Sequence, residues 1–143
     1  MATINELLSG REIHYVTIDQ TVQDAARYMS ERNVGAVPVL RDNRLVGIFS
    51  ERDIMKRVLI DMRDPRTTRI GDVMTTEPKT VNADEPIERC MLLMKQHGFR
   101  HLPVCDGDRL IGFLSLRDLL LHDLDEKEIE VKMMRAYMSA MPE

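Results

Sequence analysis

The feature that most constrains this chain is that its first half recurs in its second. One constant offset carries Val16 onto Val81, Asp19 onto Asp84, Met29 onto Met94 and Pro38-Val39 onto Pro103-Val104, without a gap. The same offset carries Arg44-Leu45 onto Arg109-Leu110, Gly47 onto Gly112, Ser50 onto Ser115 and Arg52-Asp53 onto Arg117-Asp118. Apolar character persists between these identities, as in Val22/Ile87, Val46/Ile111 and Ile54/Leu119. Self-similarity at a fixed period marks a duplicated supersecondary unit. We therefore read repeats over residues 10–60 and 73–124, a charged linker over 61–72, and an extension over 125–143.

Each copy yields the same string of elements. Val22, Ala25, Ala26 and Met29 fall at i, i+3, i+4 and i+7, and Ile87, Cys90, Met91 and Met94 repeat the spacing. That period predicts an amphipathic helix with one buried stripe. Pro86 suits a first helical turn, where a missing N–H costs nothing. Two short apolar runs, residues 36–40 and 45–49, flank the polar turn Arg41-Asp42-Asn43 and predict a hairpin. Their copies flank Asp106-Gly107-Asp108. A second helix opens after Ser50 and after Ser115, and a first strand is expected near 13–17 and 78–82. The expected fold is mixed α/β (α+β): two β-α-β-β-α repeats and a C-terminal helix. A unit of this size has a marginal core alone. Stacking the copies predicts pseudo-two-fold symmetry with two equivalent clefts between them.

Composition narrows the function classes. The protein has 43% hydrophobic and 31% charged residues, ordinary for a globular chain. Its net charge of -4 and pI near 5.6 disfavour a general nucleic-acid binder, which needs a basic face. The longest apolar run, Cys90-Met91-Leu92-Leu93-Met94, is far shorter than the roughly 20 residues a membrane span needs. No basic segment followed by an apolar stretch opens the chain, so no signal peptide and a cytoplasmic location are expected. Cys90 and Cys105 read as two reduced thiols. In the extension, Ile129, Met133, Ala136, Tyr137, Ala140 and Met141 share one helical face. That stripe either packs back on its own domain or meets a partner.

The strongest local signal is the segment Gly47-Ile48-Phe49-Ser50-Glu51-Arg52-Asp53, matched by Gly112-Phe113-Leu114-Ser115-Leu116-Arg117-Asp118. Ser followed three residues later by Asp, where a strand passes into a helix, has two readings. One is a helix cap, with the Asp also set against the macrodipole. The other is a nucleotide site, in which a carboxylate accepts a ribose diol and a helix start meets phosphate. Duplication copies caps as faithfully as sites, so both readings stand. The copies diverge at Phe99-Arg100-His101, opposite Val34-Gly35-Ala36. This suggests that the two clefts differ, with Arg100 the more natural phosphate partner. His14, His97, His101 and His122 have no metal-ligand spacing, and no P-loop, Ser elbow or G-x-G-x-x-G occurs. Neither a metal site nor catalysis is expected.

With these motifs in hand, the chain resembles a tandem pair of CBS (cystathionine-β-synthase) domains, a Bateman module, over about residues 10–124. Ile70-Gly71-Asp72-Val73-Met74-Thr75 resembles the family's lead-in to its second domain. The resemblance implies clefts that bind AMP, ADP, ATP, NAD(H) or S-adenosylmethionine. It places the ribose hydroxyls on Asp53 and Asp118, with Ser50 and Ser115 beside the ribose and phosphate. The base is implied against Val34-Gly35-Ala36 and Phe99-Arg100-His101, and against His14-Tyr15 and Lys79-Thr80. Arg100, and further Arg52 and Arg117, are the implied phosphate cations. A flat homodimer is also implied. The expectation is a non-enzymatic energy sensor with AMP as first ligand, because few cations line each cleft and a triphosphate needs more. The alternative is a constitutive protein-interaction module with no ligand.

Overall fold

The computed structural model describes residues 3–140. Its elements are α1 (Ile4–Leu8), β1 (Val16–Thr17), α2 (Val22–Arg32), β2 (Ala36–Arg41) and β3 (Arg44–Ser50), then α3 (Glu51–Asp53), which continues as a π-helical stretch over Ile54–Leu59. A 3-10 turn (Ile70–Asp72) leads to β4 (Thr75–Thr76), α4 (Ile87–His97), β5 (His101–Asp106), β6 (Arg109–Ser115) and α5 (Leu116–Ala140). This is the mixed α+β architecture expected of the duplication.

Local chemistry sets the boundaries. Thr21 caps α2 by accepting from Asp24 N at 3.2 Å, and Val22, Ala25 and Met29 form its buried stripe. α2 ends at Asn33 in the left-handed region (φ 53), and α4 ends at Gly98 (φ 74). Pro86 is the N-cap of α4, one step before its first turn. The β2–β3 hairpin turns on Asp42 and Asn43, both with positive φ. That backbone matches strand twist, and Asp and Asn tolerate it better than most residues.

The sheet runs β1-β2-β3-β6-β5, with β4 also paired to β3. β1 is parallel to β2 through Val16 and Val39, and Val81 makes the equivalent parallel bridge to Val104. β3 and β6 meet where Arg44 faces Arg109. Those two residues are copies of each other, so the pseudo-two-fold axis passes between them. The first strands are shorter than expected. Only Val16–Thr17 pair as a strand, Val81 forms a lone bridge, and residues 11–15 and 78–80 are irregular. Ile13 and His14 leave the sheet edge and line a cleft instead.

Each repeat core is completed by the segment that precedes the other repeat. Ile4 joins Val81, Ile87, Cys90, Leu102, Leu114 and Leu119 in the core of the second copy. Ile70, Val73 and Met74 join Val16, Val22, Val37 and Phe49 in the core of the first. The backbone follows suit: Ile4 N donates to Glu85 O and Asn5 N to Ala83 O, while Ile70 N donates to Gln20 O and Gly71 N to Ile18 O. Ile70, expected in the linker, is thus core of the first repeat, and α1 lies outside the expected 10–60 boundary.

Cys90 and Cys105 are buried and free. Burial pushes the Cys90 thiol up to about 11. Among the described residues no helix is long and apolar enough to cross a membrane. The extension continues α5 without a break. Ile129, Met133 and Tyr137 are exposed, so this part of the helix does not pack back on its own domain. Met141 lies outside the described residues.

Candidate ligand-binding cleft

Both Ser-x-x-Asp segments are reciprocal helix caps. Ser50 Oγ accepts from Asp53 N at 3.4 Å, while Asp53 Oδ2 accepts from Ser50 N at 3.0 Å. Ser115 Oγ accepts from Asp118 N at 3.1 Å, and Asp118 Oδ2 accepts from Ser115 N at 3.0 Å. Each cap holds its carboxylate at a strand-to-helix corner, a role compatible with a second partner on the other oxygen.

The two corners differ in what covers them. Over Asp53 the chain lays β4, which pairs with β3 at Gly47 and Ile48. Thr75 Oγ1 donates to Asp53 Oδ1 at 3.5 Å, and Arg57 Nε lies 3.8 Å from the same oxygen. Arg57 Nη1 also donates to the Val73 and Met74 carbonyls at 3.2 and 2.7 Å, fastening the covering segment. The Asp53 side chain is only 8% exposed. Over Asp118 no strand is laid among the described residues. Its side chain is 25% exposed, and Arg11 Nη1 meets Oδ2 at 3.0 Å. Among the described residues no protein donor meets Asp118 Oδ1. The expected equivalence of the two clefts is therefore corrected: one corner is roofed by β4, the other opens into a cavity.

That cavity has a volume of about 1090 Å³. His14, Val34, Gly35 and Ala36 from the first repeat face Arg100, His101, Ser115, Arg117 and Asp118 from the second across it. Tyr15, Ser50, Arg52, Asp53, Lys79, Thr80 and Phe99 do not line it. The lining also includes residues not singled out as site candidates from the sequence, among them Arg11, Glu12, Glu51 and Phe113. Arg11 lies in the leader outside the stretch where the copies align, so comparing them could not find it. Glu51 and Phe113 sit inside the motif, but at positions where the copies differ.

The cleft has distinct ends. At one, Glu51 N donates to Gly35 O at 2.9 Å, and a Cβ on Gly35 would lie 2.7 Å from Glu51 Oε1. Gly35 thus keeps this wall thin. At the other, Leu116 N donates to Arg100 O at 2.7 Å, the equivalent contact. The His101 and Phe113 rings stack, with centroids 5.3 Å apart and planes within 10°. Burial lowers the His101 pKa; Asp118 and Glu51 pull it back upward, while Arg100 adds to the lowering. The imidazole is therefore neutral at pH 7 and adds no cation to the site. At Asp118 burial raises the carboxyl pKa, but hydrogen bonds from Ser115 and Arg11 and the Arg11 charge outweigh it, leaving the group below the usual range. Asp118 is an anion at neutral pH. Among the described residues no group of acidic, His or Cys side chains is placed to hold a metal ion.

The CBS domain family model matches residues 4–60 and 70–125. The chain belongs to the CBS domain family. The first match includes α1 and the second includes the 3-10 turn at Ile70–Asp72. The chain is 33% identical over 127 residues to the CBS domain-containing protein YhcV of Bacillus subtilis, covering 89% of each chain. It is 34% identical over 129 residues to the mitochondrial CBS domain-containing protein CBSX3 of Arabidopsis thaliana, covering 87% of this chain but 63% of that protein. Among solved structures, CBSX2 in complex with AMP superposes with a TM-score of 0.77 at 30% identity, covering 89% of this chain and 99% of that one. PAE2072 of Pyrobaculum aerophilum, complexed with AMP, does so with a TM-score of 0.75 at 26% identity, covering 85% and 97%.

Proposed function

We propose that this CBS pair is a non-catalytic regulatory module that binds one adenosine nucleotide, AMP first, in the cleft at Asp118. The observation that carries this reading is the uncommitted Oδ1 of an ionised Asp118 on the wall of a large cleft. A ribose diol presents two donors to such a carboxylate. Ser115 and the start of α5 offer hydrogen-bond donors beside it, and Arg100 and Arg117 bring positive charge. The thin wall at Gly35 and Ala36 suits a flat base. The volume lies just above the roughly 300–1,000 Å³ typical of small-molecule sites. The AMP complexes of CBSX2 and PAE2072 support the same ligand class.

AMP ranks above ADP, ATP and NAD(H) because Glu12, Glu51 and Asp118 offset the three arginines of the cleft. A triphosphate desolvated there would lack compensating charge. Ligand shifts the packing of the two repeats only by its differential affinity for the alternative arrangements. A second copy of the chain is the natural reader. Met55, Leu59, Ile60 and Met62 near the end of α3, and Leu120, Leu121 and Leu124 on α5, are exposed apolar side chains that a homodimer would cover. The same exposure favours a second reading, a constitutive interaction module without ligand.

Titration calorimetry with AMP, ADP, ATP, NAD, NADH and S-adenosylmethionine decides between them. One site per chain for AMP, lost in Asp118→Asn, is the expected result. No heat with any of the six, on protein shown to be free of co-purified nucleotide, would leave the interaction module.

A further inference from the structure

Building on the assignment of the Asp118 cleft to an adenosine nucleotide, we propose that Arg11 makes the site select phosphorylated ligands by exchanging partners. In the empty cleft Arg11 neutralises Asp118. When a ribose takes the carboxylate, the guanidinium passes to the ligand's phosphate.

The contact itself is the first ground. Arg11 Nη1 lies 3.0 Å from Asp118 Oδ2, the oxygen that also caps α5. Of the three arginines lining the cleft, Arg11 alone has a carboxylate partner among the described residues. Arg11 thus holds Oδ2 and leaves Oδ1 free, so a ribose diol that engages both carboxylate oxygens competes with it.

The second ground is the freedom of its segment. Residues 9–12 are exposed and belong to no helix or strand, and the backbone hydrogen bond from Arg11 N to Leu8 O is local. Gly10 has φ +74 and open space where a Cβ would stand. Few contacts and exposed backbone are the marks of a segment that opens cheaply. Its counterpart before the second repeat is fixed, since Thr75–Thr76 pair with β3 and Arg57 holds the carbonyls before them.

The third ground is that the device exists on one side only. Leu8 stands against Gly112 as Met74 stands against Gly47. Stepping three residues on from each gives Arg11 over the open corner and Glu77 after the roofed one. A cation supplied by the preceding segment is therefore a property of the open cleft, whereas Asp53 meets its cation, Arg57, from its own helix.

The energetic consequence is selective. A diol offers Asp118 two neutral donors in place of a guanidinium, so adenosine binds at the expense of an ion pair. A ligand with a phosphate gives Arg11 a dianionic partner in return, and guanidinium–phosphate pairing is frequently bidentate. The arginine thus penalises the bare nucleoside and rewards the nucleotide.

The test is titration calorimetry of AMP and of adenosine against the full chain, its Arg11→Gln variant and its Arg11→Lys variant. In Arg11→Gln, AMP should weaken while adenosine holds or tightens, so that the ratio of the two affinities falls about tenfold or more. Arg11→Lys should recover part of that ratio. Parallel changes for both ligands would overturn the exchange and leave Arg11 a structural or purely blocking contact. Wild-type protein that binds AMP with an unchanged ratio in the variant would overturn it while sparing the site. Wild-type protein that binds neither ligand would overturn the site and the exchange with it. Ligand-free thermal midpoints of the three proteins within a few degrees of one another confirm that the variants fold.

Discussion

Thr75 Oγ1 donates to Asp53 Oδ1 at 3.5 Å, whereas the matching oxygen of Asp118 meets no protein donor among the described residues. Two aspartates that the repeat makes equivalent are thereby given different fates. One is closed into the protein by β4, and the other faces a cleft.

Stoichiometry should follow that difference. We expect one adenosine nucleotide per chain, bound by Asp53→Asn protein and not by Asp118→Asn protein. Asn keeps an oxygen to accept from the Ser50 or Ser115 N–H, so the reciprocal cap is retained in each variant. Calorimetric titration reads the count directly. Two sites of similar affinity would show that β4 yields to ligand.

Ile4 should behave as a core residue of a repeat that begins far from it in sequence. It is 0% exposed among side chains of the second copy. Ile4→Ala should cost about 2–5 kcal/mol, as should Ile70→Ala in the first copy. Urea midpoints at constant m-value check this. A loss below 1 kcal/mol for Ile4→Ala would place α1 outside the folded unit.

Two glycines should differ in what they tolerate. A Cβ on Gly47 would stand 2.6 Å from Thr75 O and 2.7 Å from Met74 Sδ, and the first of these is backbone. Gly47→Ala should therefore push β4 off Asp53 and destabilise by about 1–3 kcal/mol. A Cβ on Gly35 would meet the end of the Glu51 side chain, which is exposed and can turn away. Gly35→Ala should leave stability nearly unchanged and weaken ligand binding by narrowing the cleft. Thermal midpoints with and without AMP separate the two effects.

His101 should make stability depend on pH. Burial lowers its pKa in the folded state, against the smaller upward pull of Asp118 and Glu51. Between the folded and unfolded values the unfolded chain binds more protons, so stability rises with pH through that interval. It should be fully present above the ordinary His value near 6.5 and decline as pH falls below it. His101→Phe, which preserves a ring against Phe113, should flatten this part of the curve. Urea midpoints between about pH 5 and pH 8 measure it, and an unchanged slope in the variant would assign the dependence to another group.

The sequence by itself determined the duplicated unit, the helix stripes, the hairpins and the two Ser-x-x-Asp segments. Those features are local: a period of 3.6, a turn residue that accepts positive φ, and a Ser three residues before an Asp are each written within one short segment. It also flagged that the copies differ at Gly35 and Arg100. Only the tertiary structure decided that Ile4 and Ile70 exchange cores, because a single buried side chain in a short segment carries no period. It alone decided that Thr75 roofs Asp53 while Arg11 meets Asp118. Both segments are irregular or nearly so, and where an irregular segment settles depends on which surface is left uncovered once the repeats have paired. Pseudo-symmetry could supply two equivalent corners, but the connections obey no such symmetry, and they give this protein one open cleft.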